Sequence, residues 1–306
     1  MQKRMLGRTG MSVSLLSLGT MTWGEQNTEA EGHAQMDMAL DAGLNLFDAA
    51  EMYPVPPRRE TANRTEEIIG SWFASRPGAR EKVVLATKVA GRTDVMTWLR
   101  SPERPVRVTP AQIEEAVEGS LRRLRTDRID LYQVHWPERP VSQFGANGTV
   151  WRPPEPAPDV TPIEVQLEAM HRLVTAGKVR AIGLSNESAW GVMRWLDAAA
   201  AVPGAPRVAS IQNAYSLVNR TFEVNLAEVS AAEDVSLLAY SPLAQGYLTG
   251  KYRNGALPPG ARKTLFDRLQ RYEGPGAIEA IDAYVDLARE AGLDPARMAI
   301  AFAMGR

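Results

Sequence analysis

The sequence predicts an α/β fold: one (β/α)8 TIM barrel with a β-hairpin ahead of its first strand. Two observations carry that expectation. Short apolar runs alternate with amphipathic helical stretches through seven strand–helix units, with no break in composition. The long segments rich in Pro and Gly follow the C-terminal ends of expected strands. Regular alternation gives a parallel sheet with right-handed crossovers. Unbroken alternation favours a single barrel domain over 1–306 rather than two doubly wound domains.

The elements follow in order. Gly7 and Gly10 punctuate short apolar stretches and predict a hairpin over 6–13. Strands are expected at 15–19, 44–48, 83–88, 129–135, 179–185, 208–213 and 235–240. Ala34, Met38 and Ala42 share helical spacing within 29–42, and Gly43 stops that helix. Glu66 and Glu67 suit the first turn of a helix over 65–75. Thr109-Pro110 reads as a cap followed by proline at the first helical position, with Ile113, Val117, Ser120, Leu121 and Leu124 on the buried face. Thr161-Pro162 repeats that start for a helix ending at Ala176. Further helices are expected over 189–201, 222–232, 277–291 and 295–303. Long loops over 89–108, 136–160 and 241–275 all follow strand C-termini, so they share the face on which barrel sites are built. An eighth strand and helix are not legible before Arg306, and the expectation is a chain lacking them, by truncation or through an omitted tail.

Composition narrows the function classes. The chain has 306 residues, is 44% hydrophobic and 23% charged, and carries a formal net charge of −1. Nothing in that balance points to nucleic acid or an anionic membrane. With no cysteine, disulfides, thiolate catalysis and Cys-ligated metals are excluded, which fits a reducing compartment. No apolar run follows Lys3 and Arg4, and no stretch approaches a membrane span, so the expectation is a cytoplasmic protein.

Chemistry concentrates at strand ends. The run 44–48 ends in Asp48, and Tyr53 stands in the turn beyond; 83–88 ends in Lys88; 129–135 ends in His135. A phenol is a weak acid, with a pKa of about 10. A nearby ammonium would lower it, and Asp48 could keep a buried Lys88 charged. With His135 as a hydrogen-bond donor, the set suits proton delivery to a carbonyl oxygen. No obvious nucleophile and no metal-ligand cluster accompanies it. Taken singly, each residue has a plainer role: a turn carboxylate, a solvated lysine, a packed tyrosine, a core histidine. Trp23, Trp98, Trp136 and Trp151 either line an aromatic mouth or pack loops together. Lys88 also leaves open a Schiff-base aldolase, and a catalytically slow, cofactor-sensing barrel acting as an interaction subunit is the alternative from another class.

These residues sit in runs that resemble the aldo-keto reductases. The runs are Asp-Ala-Ala-Glu-Met-Tyr at 48–53, Ala-Thr-Lys at 86–88 and Asp-Leu-Tyr-Gln-Val-His-Trp at 130–136. The segments at 177–186, 211–216 and 239–246 match as well, and the likeness runs from Leu-Gly-Arg-Thr-Gly at 6–10 onward. It is strongest to the bacterial Tas-type branch, through His-Trp-Pro-Glu-Arg-Pro at 135–140 and Val-Asn-Arg at 218–220. The resemblance implies reduction of an aldehyde or ketone by hydride from NADP(H). It implies Tyr53 as general acid, Lys88 and Asp48 tuning it, and His135 polarising the carbonyl. It implies a cofactor held by Ser185, Asn186 and Gln212 at the carboxamide, by Tyr240 on the ring, and by Gly19, Thr20, Met21 and Asp48 near the ribose. The segment Ser241, Pro242, Leu243, Gln245, Gly246 and Lys251 would contact the pyrophosphate. The implied partner is a small-molecule carbonyl substrate. No Gly-x-Gly-x-x-Gly turn supports a Rossmann domain.

Overall fold

The computed structural model describes residues 1–141, 155, 157–268 and 270–305. An antiparallel hairpin comes first, β1 (Lys3–Met5) against β2 (Ser12–Ser14). Seven parallel strands follow in sequential order in one curled sheet. They are β3 (Leu18–Gly19), β4 (Leu46–Asp48), β5 (Val84–Val89), β6 (Ile129–Val134), β7 (Val179–Ser185), β8 (Val208–Ala214) and β9 (Ser236–Tyr240). Helices α1 (Glu29–Asp41), α2 (Arg64–Ser75), α3 (Pro110–Leu124), α4 (Ile163–Thr175), α5 (Ala189–Ala201) and α6 (Leu226–Glu233) alternate with those strands. α7 (Arg262–Phe266), α8 (Ala277–Glu290) and α9 (Pro295–Met304) come after β9. No helix among the described residues is long and apolar enough to cross a membrane.

The period of two along a strand explains where the chemistry goes. Leu46, Ala86 and Leu131 point inward and pack with Leu6, Met11 and Val13 of the hairpin, which plugs one end of the sheet's interior. Two positions further along the same strands stand Asp48, Lys88 and Gln133, with His135 beyond. The intervening Phe47, Thr87 and Tyr132 face the helices; Phe47 and Tyr132 join the large core with Trp72, Ile113, Leu167 and Trp195.

The predicted order of elements stands, and several details differ. The first strand contributes two ladder residues rather than the expected 15–19, because it pairs with β4 alone, at Leu18–Phe47 and Gly19–Asp48. In α1 the buried positions are Gly32, Met36 and Ala39, whereas Met38 is 71% exposed, so the Ala34–Met38–Ala42 stripe faces outward. Gly32 explains the offset: a Cβ there would lie 3.1 Å from the Trp23 ring, so the hydrogen side chain lets that indole pack beneath the helix. The cap at Thr109 forms as expected, accepting from Gln112 N. The one at Thr161 does not. Pro162 is the capping residue of α4, and Gln166 Nε2 donates to the Thr161 carbonyl at 2.7 Å. The expected 241–275 loop contains α7 and short 3-10 turns.

Candidate active site

Parallel pairing in register brings the ends of β4, β5 and β6 side by side. Asp48 is the meeting point. Its Oδ2 accepts from Lys88 Nζ at 2.6 Å, and its Oδ1 accepts from Gln212 Nε2 at 3.0 Å and Gln133 Nε2 at 3.2 Å. Lys88 Nζ also donates to the Ala49 carbonyl at 2.7 Å, and the lysine is wholly buried. Burial pushes the ammonium below its ordinary pKa, and the Asp48 charge opposes that shift.

Tyr53 is buried in the turn after β4, with Lys88 Nζ 5.0 Å from the centre of its ring. The His135 ring meets it edge-on, 5.5 Å between centres and 81° between planes. Its phenol is not depressed as the sequence reading expected. Burial pushes it well above 10.0, and the Asp48 charge adds to the rise. The ammonium faces the ring while its hydrogen bonds go to Asp48 and Ala49. The phenol therefore keeps its proton at neutral pH. His135 moves the other way: burial, then the Lys88 charge, hold it well below 6.5, so its ring is neutral. Its Nδ1 is buried without a hydrogen-bond partner among the described residues.

A second node forms where β7 ends. Asn186 adopts the left-handed region at φ 53°, which aims its amide into the barrel mouth. Its Nδ2 donates to the His135 carbonyl at 2.9 Å and to Ser185 Oγ at 3.1 Å. Its Oδ1 accepts from Tyr240 Oη at 2.7 Å. Ser185 Oγ donates to the Gln212 carbonyl at 2.8 Å. Thr20 ties the start of the set to Asp48, donating through Oγ1 to that residue's carbonyl at 2.8 Å.

A cleft of ≈ 1480 Å³ opens over these groups. Gly19, Thr20 and Met21 line it from the β3 end, with Asp48, Tyr53 and His135 beside them and Ser185, Asn186 and Gln212 opposite. Tyr240, Ser241, Pro242, Leu243, Gln245, Gly246 and Lys251 form its far wall. Lys88 alone of the expected residues lies beneath the wall rather than in it. The far wall is bent tightly, with Ser241, Ala244, Gln245 and Gly246 all at positive φ. A Cβ on Gly246 would come within 2.8 Å of Lys251 Cε, so glycine lets that lysine fold against the turn.

Sequence reasoning passed over Gln133, Arg262, Arg268 and Arg271. Gln133 shares the inward face with His135, a signal its even spacing carries. Arg262, Arg268 and Arg271 line the cleft with Lys251, and none of the four pairs with a carboxylate among the described residues. The basic character of 241–275 was the available hint. Arg271 Nη1 reaches Tyr240 Oη at 3.5 Å. Of the two roles left open for the tryptophans, the described ones divide between both. Trp136 lines the cleft, but Trp23 is buried under α1 with Nε1 bonded to Gln35, and Trp98 packs 5.7 Å from the Arg59 guanidinium. Trp151 lies outside the described residues.

No group of three or more His, Cys, Asp or Glu among the described residues could hold a metal. An organic group of mixed character fits better. One half of the cleft offers amides, a phenol and an imidazole; the other offers cations and Gln245 Oε1. The imidazole Nδ1 and Gln245 Oε1 are buried without a hydrogen-bond partner among the described residues.

The sequence pattern of the aldo/keto reductase family matches residues 15–306. Protein tas of Escherichia coli is 52% identical over 306 residues, covering 99% of this chain and 85% of the relative. An uncharacterized oxidoreductase, YrpG of Bacillus subtilis, is 34% identical over 308 residues, covering 99% and 83%. An aldo-keto reductase of Babesia bovis is 39% identical over 216 residues, covering 68% and 75%. A match that begins just before the first barrel strand and continues to Arg306 places this chain in the aldo/keto reductase family of oxidoreductases.

Proposed function

We propose that this chain reduces an aldehyde or ketone to an alcohol with NADPH, using Tyr53 as the proton donor. The observation that carries the reading is the buried, protonated Tyr53 phenol set against His135 in the cleft and over Lys88 beneath its wall. The dinucleotide, when bound, supplies the hydride. Asn186 and Gln212 suit its carboxamide, Tyr240 its ring, and Lys251, Arg262 and Arg271 its phosphates.

The residues of the chain then divide the remaining work. Tyr53 gives its proton to the carbonyl oxygen as negative charge develops there. A phenolate forming in a dry site needs a positive charge close by, and the Lys88 ammonium lies under the ring, held by Asp48. His135, neutral, donates one ring N–H to the same oxygen without competing as an acid. Lys88 is a poor candidate for a Schiff-base nucleophile, because its amine is wholly buried and spent on Asp48 and Ala49. α8 and α9 pack on the segment after β9, in keeping with one barrel domain.

The test is Tyr53→Phe. NADPH-dependent reduction of 4-nitrobenzaldehyde should fall about 10²- to 10⁴-fold, with NADPH affinity by tryptophan fluorescence changed less than about twofold. Turnover retained in that variant removes Tyr53 from the acid role.

A further inference from the structure

Glu51 lies between the two halves of the proposed acid. It is two residues before Tyr53 and is buried. Its backbone N–H donates to the Lys88 carbonyl at 3.2 Å, and its Oε1 accepts from Ala90 N at 2.7 Å. One residue thus holds the tyrosine turn to the chain at Lys88 itself and two residues beyond it. Its carboxylate is gripped in turn by Arg100, which donates from Nη1 to Oε2 at 2.9 Å and from Nη2 to Oε1 at 3.0 Å. Arg100 is also buried, and its Nε donates to Gln112 Oε1 on α3 at 2.8 Å. Gln112 holds the same loop again, accepting from Arg107 N at 3.0 Å and donating to the Pro105 carbonyl at 3.1 Å.

A bidentate Arg–carboxylate pair fixes distance and angle together. Burying both charges is costly, and a well-packed apolar pair of similar volume is often no less stable. An apolar pair could not supply the bond to Ala90 N. We propose that Glu51 and Arg100 are positioning residues: they fix the Tyr53 turn against the end of β5 and so set the phenol's place over Lys88. The inference rests on Tyr53 being the general acid.

The experiment compares Glu51→Leu/Arg100→Met, Arg100→Lys and Tyr53→Phe in one reduction assay, with folding followed by circular dichroism and NADPH binding by fluorescence. Misplacing a reacting group by about 1 Å can cost about 100-fold. The double variant should therefore fold, bind NADPH within about twofold of the parent, and lose about 10- to 100-fold in kcat. Arg100→Lys, which keeps the charge and loses the fork, should fall between the two. A folded double variant with unchanged kcat overturns the proposal, as does a loss fully explained by the unfolded fraction. If the double variant does not fold, Arg100→Lys decides, and unchanged kcat there overturns the proposal. If Tyr53→Phe keeps its turnover, the acid assignment fails and this inference falls with it. If Tyr53→Phe is inactive while the pair variants are not, only the positioning role fails.

Discussion

Lys88 Nζ and Asp48 Oδ2 lie 2.6 Å apart, with the ammonium wholly buried and the carboxylate nearly so. Breaking a buried pair leaves an uncompensated charge and typically costs about 3–5 kcal/mol. Asp48→Asn should therefore lower stability by about 3 kcal/mol or more in urea unfolding. It should also lower kcat, because burial already disfavours the Lys88 charge and the variant removes the Asp48 charge that opposes it, so the cation under the phenol is held less firmly. Unchanged stability would mean that the Ala49 carbonyl and the neutral amide oxygen left at position 48 hold the lysine unaided.

His135 makes the fold sensitive to acid. Burial holds its folded pKa well below 6.5, whereas the unfolded chain takes up the proton as pH falls through about that value. Below it the unfolded state binds more protons, so stability is lost as pH drops and is fully present above pH 7. One proton gives a slope of up to about 1.4 kcal/mol per pH unit. His135→Gln should flatten the curve between about pH 6.5 and 5. An identical slope in the variant would assign the acid sensitivity to other groups.

Tyr240 Oη donates to Asn186 Oδ1 at 2.7 Å, and Asn186 sits at φ 53°. Tyr240→Phe keeps the ring and removes the tether. Losing one hydrogen bond of about 1 kcal/mol should weaken NADPH binding about fivefold, read by fluorescence titration. Affinity equal to the parent would mean that the bonds to His135 and Ser185 orient the amide without Tyr240.

The cations of the far wall, none of which pairs with a carboxylate among the described residues, should set cofactor preference. NADPH carries more phosphate charge than NADH, so Lys251→Met should weaken NADPH more than NADH, in contrast to a lysine confined to the pyrophosphate, the place that the resemblance implied for it. The difference should shrink with salt as the charges are screened beyond about 10 Å at 0.1 M. Equal weakening of both dinucleotides would place Lys251 on phosphate that they share.

Gly91 tests the junction of two loops. A Cβ there would lie 2.1 Å from the Trp136 carbonyl oxygen and 2.4 Å from its ring. Gly91→Ala should destabilise by about 1–3 kcal/mol through overpacking and raise the substrate KM, because Trp136 lines the cleft beside His135. A variant with the parent's melting temperature would show that the loops yield without strain.

Much of this was legible in the chain itself. Alternating apolar runs and helices gave the order of the sheet, since side-chain period and strand length are local properties. The same period put Asp48, Lys88 and His135 at strand ends on one face, and the signature runs named Tyr53, Asn186, Gln212 and Tyr240. The sequence could not weigh contacts between distant residues. Gln212 reaches Asp48 across 164 residues, and Arg100 reaches Glu51 across 49. The protonation of Tyr53 was misjudged for that reason. Sequence shows a lysine nearby, which argues for a lowered pKa, but only the packed turn shows the phenol stripped of water and the ammonium already bonded elsewhere. Residue types and their spacing were fixed locally. Burial, and with it the charge state of each group in the cleft, arose only when the strands and loops closed around them.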